Sequence, residues 1–334
     1  MLAELSNLHG VSGNEGEVRR FLLKKLSGFD VETTVDTMGN LFVRKGRTTD
    51  SPGIMLSAHM DEVGLMVMSI QKNGLLKFKP VGSIDSRVLV SKRVLIGAQG
   101  LPAVIGVKPV HLQKPGEREK PFDEESLYLD AGFNDGDEAE KLVSVGDYIS
   151  FDSCFTALGD GFCRGKAFDN RAGCLVLLEL LLEKNGLSFE AAFTVQEEIG
   201  TRGAAVAAYT LQPRIALVVE TTAASDTPET EKDAVSTMLG SGPAISIMDR
   251  TIMVSRKMRE QLVESAEKAG ISYQFRRFTG AGTDAGAISL SREGVQTAVV
   301  SVPCRYIHSP HSLLQESDLK GTISLIRSWL ENRQ

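Results

Sequence analysis

The sequence predicts an α/β protein with a mixed sheet and a small inserted β-barrel or sandwich, and three observations predict it. Residues 1–63 and 156–334 alternate apolar strand-like runs with helical stripes, the rhythm of βαβ units. Residues 64–155 hold only short β-like runs broken by Asn73-Gly74, Gly82, Gly97 and Gly100, with no helical stripe long enough for a crossover. At 334 residues the chain also exceeds the size of one ordinary domain.

Leu2, Leu5 and Leu8 begin a helical stripe. Ser12-Gly13-Asn14-Glu15 reads as the cap of a second helix carrying Val18, Phe21, Leu22 and Leu26. Residues 31–35 and 41–43, separated by Met38-Gly39-Asn40, form a hairpin, and 53–58 a buried central strand ending at His59-Met60-Asp61-Glu62. Within the insert, 65–70, 75–80, 88–96 and 101–107 read as strands, and the charged stretch 116–125 as a mobile loop. The βαβ rhythm then returns. Strands are expected at 189–195, at 214–219 ending on Glu220, and at 244–248, 272–278 and 295–302. Helices are expected at 170–182, 203–211, 256–269, 285–289 and 316–330, the last with Leu319, Ile323, Ile326 and Leu330 on its apolar side.

Composition excludes several partners. A net charge of −6 without a Lys/Arg run argues against nucleic acid and anionic membrane surfaces. No apolar run reaches bilayer length, and Met1-Leu2-Ala3-Glu4-Leu5 offers neither a basic n-region nor an apolar h-region, so the expected location is the cytoplasm. Cys154, Cys163, Cys174 and Cys304 show no Cys-x-x-Cys spacing, which points to buried or idle thiols rather than a zinc knuckle or disulfides.

The chemistry converges on strand ends. Ala191-Ala192-Phe193-Thr194-Val195-Gln196 delivers Glu197 and Glu198 to the C-terminal end of a strand, where open α/β sheets place ligands; one carboxylate can bind a cation while its neighbour handles a proton. His59 with Asp61, Glu220, and His308 after strand 295–302 end other strands, and Asp169 precedes a long apolar helix. Alone, each has a plainer explanation: a hydrogen-bonded core histidine, a helix N-cap, a solvated strand end. Together, two histidines and three carboxylates suit two zinc, cobalt or manganese ions sharing one bridging carboxylate. His111 lies in the β insert, and His311 follows Pro310 away from the strand end, so both are set aside as ligands.

His59-Met60-Asp61-Glu62-Val63-Gly64, Gly165-Lys166-Ala167-Phe168-Asp169-Asn170-Arg171, Gln196-Glu197-Glu198-Ile199-Gly200, Gly282-Thr283-Asp284-Ala285 and Arg305-Tyr306-Ile307-His308-Ser309-Pro310 resemble the motifs of the glutamyl or deblocking aminopeptidases, the tetrahedral aminopeptidase family, in order and spacing over almost the whole chain. The resemblance implies a zinc-exopeptidase-like α/β/α catalytic domain (1–63 and 156–334) with an inserted β dimerisation domain (64–155). It implies a binuclear metal aminopeptidase acting on short peptides: His59 and Glu220 completing one metal site, Glu198 and His308 the other, and Asp169 bridging. Glu197 would be the general base acting on a bridging water, and Asp61 the partner orienting His59. It further implies a cis Asp169-Asn170 peptide and dimers that assemble into a hollow dodecamer with inward-facing sites. An insert with little core of its own and exposed strand edges would favour such assembly. Two departures stand out: Glu220 occupies a position where most members carry Asp, and His311-Ser312-Leu313 lacks the acidic residue often found there.

Two rivals remain. Members of the family have carried endoglucanase labels, but a glycoside hydrolase needs two carboxylates without metals and usually aromatic platforms, whereas aromatics are 6% here and the single Trp329 lies in the last helix. A non-catalytic, metal-stabilised assembly protein is the other. The preference for an acidic, neutral or basic N-terminal residue stays open.

Overall fold

The structure is a computed structural model that describes residues 1–46 and 53–333. Strands β1 (Val31–Val35) and β2 (Leu41–Lys45) form the expected antiparallel hairpin. Its turn needs Gly39 at φ 100°, a backbone that a side chain would strain, and Asp36 Oδ1 accepts from the Gly39 and Asn40 N–H groups at 2.8 and 2.9 Å. Strand β3 (Ile54–His59) is buried at every position.

Six strands follow: β4 (Gly64–Ile70), β5 (Leu76–Val81), β6 (Arg93–Ile96), β7 (Leu101–Gly106), β8 (Tyr128–Asp130) and β9 (Tyr148–Phe151). They close into a small barrel in the order β4-β5-β8-β7-β6-β9, around its own core of Leu65, Val67, Leu76, Phe78, Ile105 and Ile149 among others. This corrects the expectation of exposed edges and little core, because closure pairs both edges of the sheet. The expected strand 88–96 is shorter: Asp85 accepts the Arg87 N–H at 2.9 Å and starts a helical turn, Ser86–Leu89, before β6. Within 116–125 the backbone also makes turns of helix, Pro115–Arg118 and the 3-10 turn Glu124–Ser126.

The chain then re-enters the large sheet through β10 (Thr156–Ala157) and β11 (Phe162–Gly165). It continues with β12 (Phe189–Thr194), β13 (Ile215–Ala223), β14 (Ala244–Ser246), β15 (Gln274–Arg276), β16 (Gln296–Arg305) and β17 (Ser312–Gln315). Among the described residues this sheet has eleven strands, ordered β1-β2-β12-β3-β13-β16-β17-β11-β10, with β14 on β16 and β15 on β14. Strands β12, β3, β13 and β16 are mutually parallel, so their C-terminal ends share one edge. Strand β13 does not end at Glu220. It runs on to Ala223 because β16 continues beside it, pairing Glu220 with Ser301 and Ala223 with Cys304.

Helix Phe168–Leu182 is apolar around nearly its whole circumference because it lies between the sheet and the helices Leu2–Asn7, Gly16–Leu26 and Glu316–Glu331. Helices Arg202–Leu211 and Asp284–Ser289 cover the opposite face, completing three layers. The expected cap at Ser12 does not form: helix Gly16–Leu26 starts after Glu15 without a side-chain cap bond.

A buried ion cluster ties these layers together. Glu62, just after β3, accepts from Lys166 Nζ at 2.6 and 2.8 Å, Arg171 Nη2 at 3.2 Å and the Gly10 N–H at 3.1 Å. Arg171 also donates to Met60 O and Leu5 O, each at 2.8 Å, which locks the first helix onto the central strand. Glu62→Ala strands two buried cations and is expected to destabilise the fold by about 3–5 kcal/mol, read as a fall in the denaturant midpoint.

Candidate active site and metal centre

Each expected donor reaches the same point from a different segment. In register, His59 at the end of β3 faces Thr194 at the end of β12. Beyond Thr194 the backbone turns through Gln196 at φ 56° and presents Glu197 and Glu198. Glu220 arrives from within β13, and His308 from the loop after β16, itself at φ 57°. Asp169 sits in the first turn of helix Phe168–Leu182 with non-helical φ −85° and ψ 102°, after Ala167 at φ 56°; the Asp169-Asn170 peptide is cis. Left-handed backbone at Ala167, Gln196 and His308 is unfavourable for side-chain-bearing residues and persists only where surrounding contacts fix it.

The donors form a cage. His59 Nε2 lies 3.3 Å from Asp169 Oδ1 and 3.2 Å from Glu220 Oε1, while His308 Nε2 lies 3.4 Å from Asp169 Oδ2 and 3.3 Å from Glu198 Oε1. Glu197 Oε2 is 4.0 Å from His59 Nε2. Asp169 thus offers one oxygen to each histidine. The buried atoms Asp169 Oδ1, Glu198 Oε1 and Glu220 Oε2 have no hydrogen-bond partner, which is costly unless something else satisfies them. Two ligand atoms about 2.0–2.1 Å from a tetrahedral cation stand about 3.3–3.4 Å apart, the spacing observed here, so the residues present fit divalent cations. His59-Asp169-Glu220 and Asp169-Glu198-His308 each bring one donor atom per residue within 4.8 Å of the others.

Asp61 holds the cage together. Fully buried, it accepts from Ser12 Oγ at 2.6 Å, from the Glu197 N–H at 3.0 Å and from the Glu198 N–H at 3.1 Å. Its carbonyl lies 3.2 Å from His59 Nδ1 and its Oδ1 3.4 Å, which turns Nε2 towards the other donors. Its own pKa is held below the usual value: burial pushes it up, but His59, Ser12 and the Glu197 N–H outweigh that push. Burial would also keep His59 neutral, yet the facing carboxylates, Glu220 foremost, lift its pKa well above the imidazole range. His308, likewise buried, is raised to about 11 by Asp169 and Glu198. Burial lifts Glu220 to about 7 against the pull of His59, and lifts Glu197 well above the carboxylate range, with Glu220 and Asp284 adding to the push. A proton-holding carboxyl of this kind suits general acid–base work.

The cage opens into a cleft of about 480 Å³, lined additionally by Ser83, Arg250, Arg276 and Phe278. Sequence reasoning missed Ser12, Arg276 and buried Asp284, whose Oδ2 accepts from Thr194 Oγ1 at 2.6 Å. Asp284 lay within a quoted motif and carried a signal; Ser12 and Arg276 carried none. His111 lies on the barrel side, outside the cage, and His311 Nδ1 pairs instead with Ser153 Oγ at 3.1 Å. Among the described residues, no helix is long and apolar enough to cross a membrane.

The chain as a whole is similar to known proteins. Residues 39–325 match the family described as M42 glutamyl aminopeptidase. The lysyl aminopeptidase of Pyrococcus furiosus is 31% identical over 96% of this chain and 93% of its own length, and the glutamyl aminopeptidase of Lactococcus lactis subsp. cremoris is 30% identical over 97% and 93%. Among solved structures, the TET aminopeptidase of a marine sediment Thaumarchaeota archaeon matches with TM-score 0.94 at 32% identity, covering 100% of this chain and 98% of that one. The TET1 peptidase of Pyrococcus horikoshii, described as assembling into a tetrahedron or a large octahedral shell, matches with TM-score 0.86 at 32% identity over 98% and 97%. A protein of Thermotoga maritima described as an endoglucanase matches with TM-score 0.82 at 38% identity over 100% and 99%.

Protons and cations would compete for the same atoms of the cage. His308 and Glu220, with pKa values raised to about 11 and about 7, hold protons near neutrality that an incoming cation must displace. Zinc binding to the demetallated protein is therefore expected to release protons and to weaken as pH falls, which calorimetry in buffers of different ionisation enthalpy would measure.

Proposed function

Because the chain belongs to the M42 glutamyl aminopeptidase family and is an aminopeptidase, we propose that it removes the N-terminal residue from short peptides at a centre of two divalent cations, zinc, cobalt or manganese. The observation that carries this reading is the spacing of five donors from five segments, with buried carboxylate oxygens that face only one another's candidate ligands. His59 and Glu220 would hold one cation, Glu198 and His308 the other, and Asp169 both. Cations held there would supply Lewis acidity towards the substrate's amine and scissile carbonyl and would lower the pKa of water towards neutrality. Glu197, whose pKa is raised by burial, takes the proton of the attacking water and passes it to the leaving amine. Asp61 keeps the His59 ring and the Glu197-Glu198 backbone in one fixed relation, so that proton carrier and donors are positioned together.

In this reading residues 1–63 and 156–334 form the catalytic domain and 64–155 an inserted dimerisation domain, in a protein of the cytoplasm. Exposed apolar residues on the barrel, Met68, Val104, Val110, Leu112, Leu142 and Val145, support an interface there, and the tetrahedron or octahedral shell described for the Pyrococcus horikoshii relative supports a closed shell, which we take to be a dodecamer. Such a shell would admit peptides and exclude folded proteins by size.

Two variants separate proton transfer from metal binding. Asp169→Ala is expected to lose both ions by elemental analysis, whereas Glu197→Gln keeps them and loses turnover of aminoacyl-p-nitroanilides about a hundred- to ten-thousand-fold. Metal loss in Glu197→Gln with activity restored by added metal would overturn the base assignment, and turnover of carboxymethylcellulose would favour the glycosidase rival. Sedimentation of the intact protein is expected to give a twelve-subunit particle; a monomer would refute the shell while leaving the metal chemistry untouched.

A further inference from the structure

Arg276 lines the cleft with its guanidinium carbon 5.9 Å from the centre of the Phe278 ring, a contact that uses none of its N–H donors. It projects from β15 and is only 5% exposed, yet its Nε and Nη1 have no hydrogen-bond partner. Its nearest carboxylate, Asp249, has Oδ2 4.0 Å from Nη1, beyond hydrogen-bond reach, and is held in place by other donors. That carboxylate accepts from the Thr251 N–H at 2.6 Å, Thr251 Oγ1 at 2.8 Å, the Ile252 N–H at 3.0 Å and Thr283 Oγ1 at 3.0 Å. At longer range Arg276 feels Glu220 and Asp169, both members of the cage, and cations bound there would offset that negative charge. A buried guanidinium with unused donors is expensive to keep unless an anion arrives to meet it. The cleft is open, about 480 Å³ in volume, and the cage residues line it together with Arg276.

We propose that Arg276 is a specificity residue that anchors a carboxylate of the substrate next to the scissile bond. The inference rests on the aminopeptidase reading above. Family membership does not supply it, since one relative is named for lysyl and another for glutamyl substrates. A guanidinium receives a planar carboxylate through two parallel N–H donors and repels an ammonium, so this cleft disfavours an N-terminal lysine. The carboxylate has two sources: the side chain of an N-terminal glutamate or aspartate, or the free C-terminus of a dipeptide.

The test compares wild type, Arg276→Gln and Arg276→Lys, each metal-loaded, on glutamyl-p-nitroanilide, leucyl-p-nitroanilide, leucyl-glycine and leucyl-glycinamide. A side-chain anchor makes the glutamyl anilide the preferred anilide, and Arg276→Gln lowers its kcat/KM about 10- to 100-fold, mainly through KM, while leucyl-p-nitroanilide is unaffected and certifies the fold. A terminal anchor gives the same loss on leucyl-glycine and spares leucyl-glycinamide. Arg276→Lys recovers part of either loss. Equal effects on carboxylate and neutral substrates, or none, overturn the anchor. A binding arm needs no turnover: glutamic acid 1-amide should raise the melting temperature of wild type more than leucinamide does, and Arg276→Gln should abolish the difference. A matching pair, leucyl-glycine against leucyl-glycinamide, reads the terminal source in the same way in the demetallated protein, so if wild type cleaves none of the four the aminopeptidase reading fails while these binding arms still decide the anchor.

Discussion

Asp61 is the point at which three otherwise separate pieces of chain are forced into one geometry. Its two oxygens take the N–H groups of Glu197 and Glu198 and the hydroxyl of Ser12, while the same residue turns the His59 ring. The N-terminal segment, the end of β3 and the turn after β12 therefore cannot shift independently. A buried carboxylate tolerates this only if donors surround it, and its low pKa reflects that they do. Precision in the cage follows from saturation of Asp61, because a half-satisfied buried network would relax into several arrangements.

The cage itself is the reverse case. Its carboxylates and imidazoles face each other at tetrahedral spacing with unsatisfied oxygens, an arrangement that folding alone would disfavour. The fold tolerates it because the parallel strands β12, β3, β13 and β16 bring their C-terminal ends to one edge, and because the Glu62, Lys166 and Arg171 cluster clamps that edge to the helices behind it. Saturated and unsaturated polar groups are thus segregated: the first fix the frame, and the second are left for ligands.

The same contrast recurs at the cleft. Asp249 is fixed by Thr251, Ile252 and Thr283, whereas Arg276, out of hydrogen-bond reach of it, keeps unused donors. One cleft is thus lined both by the candidate cation ligands and by a guanidinium, and a substrate carrying an amine and a carboxylate would be complementary to the pair. The inserted unit contributes Ser83 to the lining of this cleft.

The sequence by itself determined the α/β rhythm, the inserted β unit, the hairpin and the identity of the donors that the structure brings together, because hydrophobic period and strand-end chemistry are local properties. It placed His59, Glu197, Glu198, Asp169 and His308 correctly at element ends. Glu220 was misplaced, because β13 continues only where β16 lies alongside it, and pairing is not written in either strand alone. For the same reason β10, β11 and β17 went unread, and the barrel was expected to have edges that closure removes. Ser12 reads locally as a helix cap and becomes a donor to Asp61 forty-nine positions away, since a hydroxyl goes to the strongest acceptor in reach. Only the tertiary structure decided that Glu62 would gather Lys166 and Arg171 and that Arg276 would be buried with unused N–H donors. Whether a charge is satisfied depends on distances between residues far apart in sequence, which composition and period do not encode.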